Sequence, residues 1–321
     1  MMVVQILILL AGLALIVFGA DWLVDGASAV ARKAGISEFV IGLTIVGFGT
    51  SCPELVVSLT GAIQGNADIS IGNVVGSNIF NTLLILGVTA AMLPVLVTPS
   101  NRRRDIPLTL LVTFLLVACG MNLSLFGIGK ADALSRIEGA VFLIIFAFYL
   151  YYCFKTDTPD PSSSDDEQKP IKIPVAMLMI AAGLGSLVFG GRLFVNSATA
   201  IARLVGVSDK FIAVTILAGG TSLPELATCI VAAAKKKGQL ALGNILGSNV
   251  FNILLILGTS ALVTPLSFAG MSLVDVSVLL LSAILVWVWT YTGRKDRIGR
   301  WEGWIMIILF AAYIVWLISN I

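Results

Sequence analysis

The sequence predicts an all-α integral membrane protein of ten transmembrane helices, arranged as two inverted repeats of five. Three observations carry that expectation: an apolar composition, a doubled motif, and basic residues gathered in alternate connections. Of 321 residues, 58% are hydrophobic and 12% charged, about half the ~25% charge of an ordinary soluble domain. So little polar surface cannot cover a water-soluble globule. A chain of this length holds about ten spans of ~20 residues with short connections. Gly49–Glu54 (GTSCPE) returns 171 positions later as Gly220–Glu225 (GTSLPE). At the same offset Ile71–Asn81 (IGNVVGSNIFN) returns as Leu242–Asn252 (LGNILGSNVFN).

The spans fall near 3–24, 38–63, 69–95, 105–121, 134–153, 173–195, 209–234, 240–264, 272–292 and 301–319. Each is expected to be helical, because lipid offers the backbone no hydrogen-bond partner. The first span lacks a basic n-region and recurs internally as the sixth, so it reads as a helix and not as a cleaved signal. Phe18-Gly19-Ala20 is answered there by Phe189-Gly190-Gly191, and Ala31-Arg32 by Ala202-Arg203. The second and seventh spans carry the glutamate motif, and the third and eighth carry the G-N-x-x-G-S-N motif. After them Pro94 is answered by Pro265. In the fifth and tenth, Arg136-Ile137-Glu138-Gly139 answers Arg300-Trp301-Glu302-Gly303 at an offset of 164, a shift of seven residues. The domains are therefore 1–153, a linker at 154–172, and 173–321. The linker is rich in Pro, Ser, Asp and Glu and cannot bury itself, so it reads as a solvated connection.

Five is an odd number, so the second copy must be inverted relative to the first. Fifteen basic residues lie in connections 1–2, 3–4, 5–6, 7–8 and 9–10: Arg32, Lys33, Arg102 to Arg104, Lys155, Lys169, Lys172, Lys235 to Lys237, Arg294, Lys295, Arg297 and Arg300. The other side holds four, Lys130, Arg136, Arg203 and Lys210. Positive-inside then puts the linker in the cytoplasm and both termini outside, in the plasma (inner) membrane. Asp21 and Asp25, near the end of the first span, read as interfacial anchors beside Trp22.

Several functions are disfavoured at once. The net charge is +2 and no basic run suits nucleic acid; histidine is absent, and the four cysteines show no C-x-x-C spacing. No cofactor, disulfide framework or zinc site is expected, and no nucleophile–base pair accompanies either glutamate, so the chain is not expected to be an enzyme.

The chemistry lies in the repeated motifs. A charge at the centre of a membrane helix costs about 2.5–3.5 kcal/mol on the insertion scale, yet Glu54 and Glu225 occupy matched positions in apolar spans. Ser51, Glu54 and Ser58 share one helical face. Pro53 removes a donor and clashes with the carbonyl of Gly49, so the helix must kink or break and free carbonyls near Gly47–Thr50. Ala218, Thr221, Ser222, Pro224 and Glu225 repeat the arrangement. Asn73, Ser77 and Asn81 form a polar stripe at i, i+4, i+8, repeated by Asn244, Ser248 and Asn252. Ser77, Asn81, Ser248 and Asn252 suit hard cations better than Asn73 and Asn244, for which helix glue is an alternative reading, and Gly72, Gly76, Gly243 and Gly247 read as packing. Two carboxylates, hydroxyls, amide oxygens and carbonyls describe a site for Ca²⁺, which takes 6–8 oxygens at ~2.3–2.6 Å, or for Na⁺ on the same oxygens.

The paired G-T-S-x-P-E and G-N-x-x-G-S-N segments resemble the α-repeats of the sodium/calcium exchanger branch of the calcium/cation antiporter superfamily. The resemblance covers essentially the whole chain. It implies a four-helix core of spans 2, 3, 7 and 8 around the ions, with long helices 1 and 6 sliding across it. It also implies that Glu54 and Glu225 bind calcium and sodium, helped by the Thr50 and Thr221 carbonyls. Ser51, Ser77, Ser222 and Ser248, with carbonyls of Gly47 and Ala218, would complete sodium sites. Many members have an aspartate where this chain has Asn81 and Asn252 in both copies, which makes potassium co-transport less expected. The implied function is Na⁺/Ca²⁺ antiport by a monomer in the lipid bilayer. The alternative is a proton-coupled antiporter using the same glutamates; a channel would share the oxygen ligands but not the inverted repeats.

Overall fold

The computed structural model describes residues 2–128, 131–156, 171–206, 218–292 and 296–320. Helix α1 (Met2–Ala34) is followed by α2 (Glu38–Thr50), α3 (Cys52–Ile63) and α4 (Ala67–Met92). Then come α5 (101–120), the short α6 (Asn122–Phe126), α7 (Arg136–Thr156) and α8 (Ile173–Leu204). The chain continues through α9 (Ala218–Gly220), α10 (Leu223–Ala234), α11 (Gly238–Val263), α12 (Leu273–Thr292) and α13 (Arg300–Ser319). Seven of these are long and apolar enough to cross a membrane, and the bent pair α2–α3 makes an eighth candidate. The start of the expected seventh span, residues 209–217, lies outside the described residues, as do 157–170 of the expected linker.

Two expected boundaries need correction. The first span was expected to end near residue 24, but α1 runs 33 residues to Ala34, about 50 Å at ~1.5 Å per residue. The sixth, expected to end near 195, runs to Leu204. In α1 the extension is rich in alanine, the best helix former, and ends on Arg32 and Lys33, where cations favour a helix C-terminus. The charges inside it are also answered. Lys235, just past α10, reaches Asp21 at 2.6 Å and Asp25 at 2.7 Å. Burial lowers the Lys235 pKa, but its bonds to the two aspartates outweigh this and hold it above the usual lysine value. Asp21 and Asp25 are thus ion-paired to another helix, and not merely interfacial anchors.

Antiparallel α1 and α8 pack along their lengths through glycine. A Cβ on Gly12 would stand 2.8 Å from the carbonyl oxygen of Gly190, and one on Gly183 would stand 2.7 Å from that of Gly19. Such a seam suits lipid, where apolar tails remove the hydrophobic drive and close backbone packing holds helices together. A second seam joins α2 to α11, where Gly243 faces the Phe39 carbonyl and Gly247 that of Leu43. The packing role expected for Gly243 and Gly247 is therefore met. The corresponding partners for Gly72 and Gly76 would be residues 210 and 214, outside the described residues.

Four two-residue strands tie connections together in pairs. Val95–Leu96 (β1) pairs antiparallel with Arg297–Ile298 (β4), and Ala133–Leu134 (β2) with Leu266–Ser267 (β3). Arg102 also meets Asp296 at 2.8 Å, Lys237 meets Glu38 at 3.3 Å, and Gln239 donates to the Leu96 carbonyl at 2.6 Å. Connections 1–2, 3–4, 7–8 and 9–10 therefore meet at one end of the bundle. At the other, Arg136 donates to the Val263 carbonyl at 3.2 Å beside the β2–β3 pair. These six connections fall at the two ends in the same division as their basic residues.

Candidate functional site

Both glutamates sit just past a break in a helix. α2 and α3 meet at a 49° bend, with Ser51 at the joint (φ −83°, ψ 5°) and Pro53 in the first turn of α3. Proline is tolerated there because the first-turn N–H groups need no intrahelical partner. The second copy does the same: Ser222 (φ −91°, ψ 8°) joins α9 to α10, whose first turn holds Pro224. Glu54 and Glu225 consequently occupy the first turns of α3 and α10, where the helix dipole favours a negative charge. Each is 1% exposed.

The two joints exchange hydrogen bonds. Ser222 Oγ donates to Glu54 Oε1 at 3.0 Å, and Ser51 Oγ donates to Glu225 Oε1 at 3.0 Å. Ser222 Oγ also lies 3.3 Å from Ser77 Oγ. Five of the twelve expected ligand residues are thereby hydrogen-bonded across the joints, as one group of three (Glu54, Ser222, Ser77) and one of two (Ser51, Glu225). The Thr50 hydroxyl donates to Asn244 Oδ1 at 3.2 Å, and Gly47 packs against the Ser248 backbone. Thr221 is half-buried beside the second joint, and Ala218 opens α9.

Asn81 and Asn252 are each 1% exposed and lie in π-helical stretches, Phe80–Ile85 and Phe251–Leu257. These wider turns recur at functional positions in helices. Among the described residues, Glu54 Oε2, Glu225 Oε2, Asn81 Oδ1, Asn252 Oδ1 and Ser248 Oγ are buried with no hydrogen-bond partner. An unpaired buried acceptor costs about 1–3 kcal/mol, and a charged one more. Five such oxygens, all from the expected set and two of them on carboxylates, are of the chemical kind that a hard cation takes. No cluster of three or more His, Cys, Asp or Glu is found among the described residues.

Asn73 and Asn244 act as straps between helices. Asn73 Nδ2 donates to the Glu54 carbonyl at 3.2 Å and to Ser58 Oγ at 2.9 Å. Asn244 Nδ2 lies 3.3 Å from Cys229 Sγ, at the position corresponding to Ser58. Among the described residues no disulfide joins the four cysteines. Sequence reasoning passed over Asn78 and Asn249, which stand inside the repeated G-S-N motif. The recurrence at offset 171 was the available signal. It also missed Lys235, whose pairing across 210 residues has no local signature.

Removing one joint hydroxyl tests the cluster. Ser222→Ala and Ser51→Ala each delete a bond to a carboxylate, worth about 1.5–3 kcal/mol, or roughly ten- to 150-fold in affinity. The KM for transported divalent cation should rise by that factor, while an unchanged KM would remove the serines from the site.

An all-helical membrane bundle with a carboxylate pair buried among neutral oxygens has the build of an ion transporter. The chain belongs to the sodium/calcium exchanger protein family, whose sequence model matches residues 4–155 and 175–319. It is 36% identical over 324 residues to the inner membrane protein YrbG of Escherichia coli, covering 97% of this chain and 94% of YrbG. It is 34% identical over 350 residues to the sodium/calcium exchanger MaX1 of Methanosarcina acetivorans, covering 98% and 99%. Among solved structures it resembles the sodium-calcium exchanger NCX_Mj soaked with Na⁺ and Sr²⁺, with a TM-score of 0.84 and 32% identity over 98% of this chain and 99% of that one. The chain is a multi-pass membrane protein of the cation-antiporter class.

Proposed function

We propose that this protein exchanges Na⁺ for Ca²⁺ across the membrane by alternating access to one site built around Glu54 and Glu225. The observation that carries the proposal is the reciprocal pair of serine–glutamate bonds at the two helix breaks. Each bond holds one carboxylate oxygen and leaves the other buried and unpaired. Two negative charges balance one Ca²⁺, or Na⁺ ions on the same oxygens. Either cargo satisfies the pair, and an unoccupied pair is penalised by burial. That penalty suppresses uncoupled movement and makes the site an exchanger. The full ligand set is Glu54, Glu225, Ser51, Ser77, Ser222, Ser248, Asn81 and Asn252, with carbonyls of Gly47, Thr50, Ala218 and Thr221.

The architecture we propose is ten spans in two inverted five-helix repeats, 1–153 and 173–321, joined by a cytoplasmic linker at 154–172, with both termini outside. Matched packing supports it. Gly87 of α4 faces the Gly303 carbonyl of α13, and Gly258 of α11 faces the Gly139 carbonyl of α7. Third span on tenth thus mirrors eighth on fifth. The glycine-seamed α1–α8 pair is suited to move as one body over the core and expose the site to either side. The transported ions are cargo, no cofactor is needed, and a monomer suffices because both glutamates come from one chain.

The test is radioactive Ca²⁺ uptake into proteoliposomes loaded with Na⁺ and diluted into Na⁺-free buffer, with the potential clamped. Uptake should follow the outward Na⁺ gradient and vanish in Glu54→Gln. Uptake driven only by a pH gradient, in a parallel arm with Na⁺ absent, would replace sodium coupling with proton coupling on the same glutamates.

A further inference from the structure

A small cavity lies between α4, α5, α11 and α12, lined by Asn78, Thr82, Thr109, Thr113, Asn249 and Ser282 among apolar side chains. Its volume is about 20 Å³, which suffices for a single water at ~10–15 Å³. The hydrogen-bond inventory of its wall is uneven. Thr109 donates to the Asp105 carbonyl at 2.9 Å, Thr113 to the Thr109 carbonyl at 2.8 Å, and Ser282 to the Leu279 carbonyl at 2.7 Å. These hydroxyls have spent their protons and have only lone pairs left. Asn249 Nδ2 donates to Thr82 Oγ1 at 2.9 Å, while its Oδ1 has no partner among the described residues. Asn78 Oδ1 lies 3.4 Å from Asn252 Nδ2, while its own Nδ2 has no partner among the described residues. Both asparagines are nearly inaccessible, at 2% and 4% exposure.

The unspent donors are therefore the Asn78 amide and the Thr82 hydroxyl, which accepts from Asn249 but has its own proton left, against several acceptors. A sodium ion would face the Asn78 N–H₂ with like polarity, and an anion would face the lone pairs of Asn249, Thr109, Thr113 and Ser282. A water accepts from Asn78 Nδ2, donates to Asn249 Oδ1, and keeps a second proton for a threonine or serine hydroxyl. We propose that this cavity is a structural water site, and that Asn78, held by that water, is a positioning residue for Asn252. With its Nδ2 engaged by water, Asn78 presents Oδ1 to Asn252 Nδ2. Asn252 in turn must direct its own Oδ1, which is unpaired, toward the exchange site. Were Asn78 reversed, Asn252 would offer the cations an N–H₂ group. The inference rests on the reading of Asn252 as a ligand.

A double-mutant cycle on the purified full-length protein tests it, reading Ca²⁺ and Na⁺ affinity by calorimetric titration, without transport. Asn252→Ala should weaken binding, and Asn78→Leu should weaken it roughly five- to tenfold. In the Asn252→Ala background Asn78→Leu should add nothing, because its effect passes through Asn252. A full additional loss in that background, or no loss in the single variant, would overturn the positioning role. Wild-type affinity in Asn252→Ala alone would instead overturn the ligand reading on which it rests. A high-resolution wild-type structure supplies the second measurement if Asn78→Leu does not fold. Density for a water within hydrogen-bond reach of Asn78 Nδ2 and Asn249 Oδ1 supports the site, and a dry cavity overturns it.

Discussion

Glu225→Gln is expected to abolish cation exchange while leaving the protein folded, and Glu54→Gln should do the same. Glutamine keeps the shape of the side chain and can still accept from Ser51 or Ser222, so the reciprocal clasp of the two helix breaks survives. What disappears is one of two charges facing a cation in a buried place. Losing one partner of a buried charge pair costs about 2–5 kcal/mol, roughly 30- to 4,000-fold in binding. The amide also turns an N–H₂ toward the ion. Stability should not suffer, because neutralising a buried carboxylate relieves a desolvation penalty. The measurement pairs Ca²⁺ flux with melting temperature. Wild-type protein should melt higher as Ca²⁺ is added, by mass action on the folded state, and the variant should lose that response. A variant that still exchanges Ca²⁺ at wild-type rate would remove its glutamate from the site.

The second large effect is structural. Gly243→Ala places a methyl on the Phe39 carbonyl, where α11 rests on α2 with no room between backbones. Over-packing costs about 1–3 kcal/mol in ordinary cores. Here the neighbour is backbone, which cannot turn aside as a side chain can. The expected result is a clear loss of thermal stability in detergent and of transport, since Asn244 beside it holds Thr50. Gly185→Ala is the control: it is exposed, with nothing within 4 Å of its added methyl. Equal melting of the two variants would show that the α2–α11 contact is looser than the geometry indicates.

Much of the candidate site was legible because it is written twice. Pro53 and Pro224 announced breaks beside Ser51 and Ser222, and both breaks stand where the motifs put them. Glu54 and Glu225 could be singled out from burial cost alone, since a carboxylate inside an apolar span needs a reason. The π-helical turns around Asn81 and Asn252 were not foreseeable, because a single wider turn leaves no periodic trace in an apolar segment. The extra lengths of α1 and α8 were missed for a related reason. Hydropathy marks where a helix leaves lipid, not where it stops being a helix.

Sequence by itself determined that the chain crosses a membrane, that its two halves repeat, and which carboxylates and oxygens are available to a cation. These follow from composition and recurrence, because lipid forces every apolar span into a helix whatever its neighbours are. Tertiary structure alone decided that each joint serine bonds the glutamate of the other half, that Lys235 pairs with both Asp21 and Asp25, and that Asn252 leans on Asn78. Each of these pairs joins residues more than 140 positions apart. Nothing local in the sequence encodes such a meeting, and only the packing of one half against the other brings the partners within reach.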